Sequence, residues 1–395
     1  MQTSFNLTSA PAGTEEWVSH SGIRIFRFLF EPLDLIGDIL DTASLYLPAL
    51  SEPVLDEASA ERNLKFLHDY AGGVEMPVRT QGVTPIDESL IKSGTLMAIN
   101  RLDGLGTLED WATGARTTHI ATLMWLGTGA DRALHVVEST DKESYWPNPN
   151  IQSTLLKEWI PLAVAANYSV ALLPLKADLQ AKFDVESAEI FIASTLGEPY
   201  GYRSFVATFY DVPVGSLPWP ASWQAIESIF ELIGTIDPAI PALIMDEGLN
   251  KRLNTTGLSM VLASNEANRR NISWGELLAQ PEQDNWVYSD GPARVCDVYS
   301  CSIYKEGGLF GSLSDGIQCG EFQNRDVYSL AFYDLASLGE QGEVLGADPR
   351  PAACKAADPT LPYCMLLGPR QIELVGVNSI TPYVGMNEKC ASVPP

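Results

Sequence analysis

Basic residues are scarce in this chain: 25 Lys+Arg stand against 50 Asp+Glu in 395 residues, a formal charge of −25. Nucleic acid is held by clustered Lys and Arg that neutralise phosphate. No window supplies such a cluster, which disfavours nucleic acid and anionic membrane surfaces as partners. Histidine is scarcer still, with only His20, His68, His119 and His135. No two stand at i, i+4, and the chain has no HExxH, Cys-x-x-Cys, EF-hand loop, GxxxxGK[ST], GxGxxG or GxSxG. Zinc, P-loop, dinucleotide and serine-elbow chemistries therefore drop out, and no metal or organic cofactor is implied. The longest apolar stretch, 159–175, is interrupted by Asn167, Tyr168 and Ser169 and falls short of the roughly 20 residues a membrane span needs. No apolar h-region follows Met1, as expected of a mature or a cytosolic chain. Internal repeats and low-complexity tracts are missing too.

What is present is a globular composition: 46% hydrophobic residues, 9 Trp, 14 Tyr and 13 Phe, enough for a large core. The length suggests two or three structural units, and 31 Gly with 26 Pro predict much loop. Asn-x-Ser/Thr acceptors stand at Asn6, Asn167, Asn254 and Asn271, and Cys354, Cys364 and Cys390 crowd the last 42 residues. Both features favour a secreted or extracellular setting, where glycans and disulfides form.

Three regions are expected. Residues 1–80 contain a near-alternating apolar run at 23–30 and a helical apolar period at 32–47 (Leu33, Ile36, Ile39, Leu40, Ala43), read as elements docking on a larger body. Residues 81–311 carry the main domain. There the runs 94–99, 118–126, 133–138 and 168–173 predict strands of one sheet, and 184–196 predicts a helix stopped by Gly197. A helical insertion is expected at about 203–285, with a Ser-x-x-Glu capping-box spacing at Ser273 and Glu276. Residues 295–306 predict a further helix closed by Gly307-Gly308. Residues 312–395 form a loop-rich extension with a helix near 326–338 and the cysteine-bearing terminus. The fold class is α+β, an antiparallel sheet packed on helices.

The chemistry that survives the exclusions is a Cys/His arrangement. Cys296 falls in the first turn of its predicted helix, where free N–H groups favour a thiolate. His119 opens one strand and Glu138 ends the next. Nucleophile, base and orienting group drawn from a helix N-terminus and two strands make a workable triad. The competing reading makes Cys296 a core or disulfide cysteine and His119 a structural residue. A two-carboxylate glycosidase stays open, because its pair is spatial and not sequential. His135 lies out of phase with Glu138 and is read as structural.

The order of these pieces resembles a circularly permuted papain-like fold of the permuted NlpC/P60 group, which includes acyltransferases. Ser93-Gly94-Thr95-Leu96 is similar to the group's "GDL" strand, Thr118-His119-Ile120-Ala121 to its His strand, and Gly197-Glu198-Pro199-Tyr200-Gly201-Tyr202 to its "G-x-PY" element. Cys296 to Gly308 resembles the Cys helix, with twelve residues from Cys to the second glycine, which selects Cys296 over Cys301. Thr95 in place of Asp, Asp297 in place of the small Ser after the nucleophile, a missing Gly-Gly after the Tyr and roughly 90 intervening residues depart from the pattern. The tail from Leu361 through Cys390 resembles the termini of long secreted proteins of unicellular eukaryotes that carry this fold.

The resemblance implies thiol-mediated acyl transfer or amide or ester hydrolysis by Cys296, His119 and Glu138, with Tyr200 or Tyr202 on the oxyanion side. The substrate would be a small molecule, peptide or lipid. The rival reading is a structural, adhesive or self-assembling glycoprotein that kept the fold and lost the chemistry. Asp297 speaks for the rival, because a carboxylate beside a thiol opposes its ionisation. Cysteine arithmetic separates the two. A free nucleophile is expected with Cys301 bonded to Cys319, which follows by 18 residues across a Gly-rich turn, and one bond among Cys354, Cys364 and Cys390.

Overall fold

The Val-, Ile- and Leu-rich runs form the centre of one antiparallel sheet in the computed structural model. It describes residues 55–140, 150–201, 245–272, 294–317, 319–340 and 343–383, with the single positions 231, 234, 235, 277 and 386. The runs at 23–30 and 32–47, most of the insertion, the Ser273/Glu276 spacing, Asn6, Tyr202 and Cys390 lie outside the described residues.

Six strands, β1 (Thr95–Asn100), β2 (His119–Leu126), β3 (Ala133–Thr140), β4 (Asn150–Leu155), β5 (Ser169–Leu173) and β6 (Cys364–Leu367), run in the order β4-β3-β2-β1-β5-β6. Every neighbouring pair is antiparallel. The four inner strands are the four expected from sequence, to within two residues at their ends. Burial on both faces explains their nearly unbroken apolar runs: all six residues of β1 and all five of β5 are buried.

Side-chain alternation sorts this sheet into two cores. Leu96, Ala98, Ile120, Met124 and Val137 face helices α1 (Glu57–Tyr70), α4 (Val185–Thr195), α7 (Cys296–Glu306) and α8 (Asn324–Ser329). Met97, Ile99, Ala121, Leu123 and Val136 face α3 (Leu156–Ala165), with Trp159 fully buried at its centre, and Cys354 of α9 (Ala352–Ala357). Helix α2 (Gly104–Thr113) links β1 to β2, capped by the Asp103 carboxylate, which accepts from Gly106 N at 2.7 Å. Farther along the chain, α5 (Glu247–Leu253) and α6 (Met260–Arg269) build their own small core around Leu249, Leu253, Met260 and Ala263.

Chain segments cover the outer strands, which would otherwise offer unpaired backbone. Beside β6, Thr84 N donates to Leu366 O at 2.8 Å and Gly368 N to Gly82 O at 2.9 Å. Beside β4, Ile151 exchanges hydrogen bonds of 2.8 Å with Gly197 and Glu198. The region 77–84 is fixed further by Arg79, whose buried guanidinium bonds both carboxylate oxygens of buried Asp358. Gly368, at φ +118, touches β5 so closely that an added Cβ would lie 2.3 Å from Ser169 Cα. Only glycine fits there.

Two differences from expectation concern the C-terminal extension. The helix expected to 338 stops at Ser329, because Leu330 turns to extended backbone and pairs with Ile380 while Tyr333 pairs with Leu175. Strand β6 falls in the extension expected to be loop-rich; its four residues carry too short a period to announce themselves. Disulfides join Cys301 to Cys319, the pair expected, and Cys354 to Cys364, one bond of the expected tail set. Cys296 is free. Among the described residues no helix is long and apolar enough to cross a membrane.

Candidate active site

Strands β2 and β3 pair only from Thr122↔Val137 to Leu126↔Ala133. Beyond that point β3 continues on β4 alone, so no backbone ladder joins the start of β2 to the end of β3. His119 Nε2 and Glu138 Oε2 meet across this unpaired stretch at 2.7 Å. Glu138 is 2% exposed, and its other oxygen accepts from Trp159 Nε1 at 2.9 Å and Gln152 Nε2 at 3.4 Å. A buried carboxylate is tolerable when its lone pairs are filled this way. With Nε2 taken by Glu138, Nδ1 is the ring nitrogen left for another partner.

Cys296 is the first residue of α7, after Val295, which provides no side-chain cap. The free amides of this first turn make it the electropositive end of the helix. Arg294, two residues earlier, is fixed on all sides. Its carbonyl accepts from Ser139 Oγ at 2.7 Å and from Gly201 N at 3.1 Å, its guanidinium pairs with Glu198 at 2.7 Å, and it lies over the Phe191 ring. Tyr200 bridges to Arg294 through the backbone and is buried. The Gly197–Gly201 turn thus abuts the entry to α7. At the far end of α7 the Gly-Gly pair has a packing reason. Gly307 lies against Phe183, where a Cβ would come within 2.2 Å of the ring, and Gly308 takes φ +75 at the helix exit.

The Cys296 side chain is 5% exposed. Burial pushes its thiol well above the usual range, and the Asp297 and Glu109 carboxylates push the same way. Backbone hydrogen bonds from Ile120 and Asp297 pull it down, less strongly. The sulfur therefore meets β2 at Ile120, one residue from His119. The two side chains reach this point from different faces: His119 and Glu138 share the parity of Ala121 and Val136, which face α3, whereas α7 packs on the other side. Among the described residues no Cys296–His119 hydrogen bond is formed. The thiol's partner is Asn324 Oδ1, at 3.5 Å.

Asn324, Trp159 and Gln152 escaped the sequence reading, each having no motif around it. His135 bonds Ser153 Oγ at 2.8 Å, apart from this site. Asn254 and Asn271 are exposed, whereas Asn167 is half-buried with its amide donating to Leu55 O at 3.2 Å. All three take positive φ directly after helices, a place asparagine tolerates better than other side chains. Their local sequence thus has a structural reason of its own. Among the described residues no group of three or more His, Cys, Asp or Glu is arranged to hold a metal. No family model, curated protein or solved structure matches this chain.

Proposed function

We propose that this chain is a secreted hydrolase or acyltransferase of amide or ester bonds, built on a circularly permuted papain-like fold. Cys296 is the nucleophile, His119 the general base and then acid, and Glu138 the group that orients the imidazole. The supporting observation is the His119–Glu138 pair at 2.7 Å, one residue along the strand from the amide that faces the thiol. In this scheme the Cys296 proton passes to His119 and the sulfur attacks the substrate carbonyl. The uncapped first turn of α7 faces the developing oxyanion, with Tyr200 bordering that side. His119 then protonates the leaving group, and water or another acceptor resolves the thioester. The substrate is a small molecule, peptide or lipid, and the excess of acidic groups disfavours an anionic one. Two disulfides are compatible with an extracellular setting.

A second reading has specific support. Burial of Cys296 and the neighbouring Asp297 hold the thiol protonated, as a structural or assembly glycoprotein that lost its chemistry would tolerate. A thiol-reactive acyl probe separates the two. The enzyme is labelled at Cys296, loses all labelling in Cys296→Ala, and loses about a hundredfold in rate in His119→Ala, the scale of general-base catalysis. Labelling that does not depend on Cys296 leaves the structural reading standing.

A further inference from the structure

One contact of the Cys296 thiol plays no part in that scheme. The thiol donates to Asn324 Oδ1 at 3.5 Å, while Asn324 Nδ2 donates to Thr117 O at 3.0 Å. The second bond fixes which end of the amide faces the sulfur. Turned over, the amide would set its oxygen against the Thr117 carbonyl, two acceptors with no proton between them. Asn324 is 6% exposed and is the first residue of α8, anchored by reciprocal bonds between Gln323 and Asp326. An amide oxygen in this place accepts from S–H and repels S⁻. The other charged groups facing the sulfur are Asp297 on its own helix and Glu109 on α2, and the sheet contributes the Ile120 backbone.

We propose that Asn324 is a positioning residue that draws the Cys296 hydrogen away from His119 and holds the resting nucleophile as S–H until a bound substrate displaces the amide. Displacement frees the proton to pass from Sγ to His119 Nδ1, which leaves a thiolate beside an imidazolium with no electrons exchanged. This rests on Cys296 being the nucleophile.

The test is native-state alkylation of Cys296 by iodoacetamide in the full chain, read peptide by peptide across pH with no substrate present. Asn324→Ser removes the carbonyl and lowers the pH midpoint, so that Cys296 reacts about tenfold faster at pH 8, the effect of one decade in thiolate fraction. Asn324→Asp keeps the size, puts a full negative charge at the thiol, and raises the midpoint. Simple loosening of the site would speed both variants without moving either midpoint. Midpoints that stay put, or move in the same direction, overturn the proposal. If one variant fails to fold, judged by its circular dichroism melt, the other still decides, since each has its own sign. Opposite shifts without acyl-probe labelling would uphold Asn324 as the group that holds Cys296 as S–H, and would remove the hydrolase reading together with the catalytic part of that role. Labelling with unmoved midpoints would do the reverse.

Discussion

The carboxylate of Glu138 meets the imidazole of His119 at 2.7 Å across the stretch where β2 and β3 have stopped pairing. Both side chains are largely withdrawn from solvent, His119 at 13% and Glu138 at 2% exposure, so the pair is a fixed, buried contact.

Trp159 holds the far oxygen of Glu138. Trp159→Phe keeps most of the buried ring and deletes the N–H, leaving one carboxylate oxygen with only the longer Gln152 bond. The cost is about 1–3 kcal/mol in denaturant unfolding, as expected for a buried acceptor left short of a donor. Cys296 probe labelling should fall about tenfold, because a loosened carboxylate orients His119 less well. Unchanged labelling in a destabilised variant would make Trp159 purely structural.

Asp110 on α2 is buried with one oxygen accepting from Asn100 Nδ2 at 2.7 Å, while its other oxygen has no partner among the described residues. Burial pushes its carboxyl up to about 7, partly opposed by the Asn100 hydrogen bond. The folded state thus binds a proton more tightly than the unfolded chain, whose Asp titrates near 4. This contribution is fully present below about pH 4 and is lost as pH rises toward 7. Urea melts of Asp110→Asn should lack that decline, and the variant should be more stable than the parent at pH 8. Parallel pH profiles for the two proteins would contradict the assignment.

The four inner strands and helix α7 were legible because their signals are local: apolar runs bounded by Gly and Asp, and a helix closed by Gly307-Gly308. Strand β4 was not, since Asn150, Gln152, Ser153 and Thr154 dilute its apolar pattern and its pairing with β3 decides its conformation. Helix α8 ended early because Leu330 finds Ile380, 50 residues away, a contact no local period encodes. The same limit hid part of the site. His119, Glu138 and Cys296 stand in recognisable local settings, whereas Asn324 and Trp159 gain their roles from partners 28 and 21 residues distant.

The glycosylation acceptors should not behave alike. Asn254 and Asn271 are exposed behind their helices, but Asn167 has its amide bonded to Leu55 and Ser169, the hydroxyl residue of its sequon, buried in β5. In a secretory eukaryotic host, glycopeptide mapping should find glycan at Asn254 and Asn271 and none at Asn167. Glycan at Asn167 alone would mean that the segment around β5 is open when the chain is modified.

In the proposed function Cys296 and His119 serve one reaction although they reach β2 from different faces of the sheet. A short bifunctional reagent tests it most directly. 1,3-Dibromoacetone alkylates a thiol first and then bridges it to an imidazole only if the two can come within its three-carbon span. Peptide mass mapping should recover Cys296 joined to His119 through Nδ1, with the bridge lost in His119→Ala while alkylation of Cys296 persists. Alkylation of Cys296 with no bridge to His119 in the parent protein would contradict the triad.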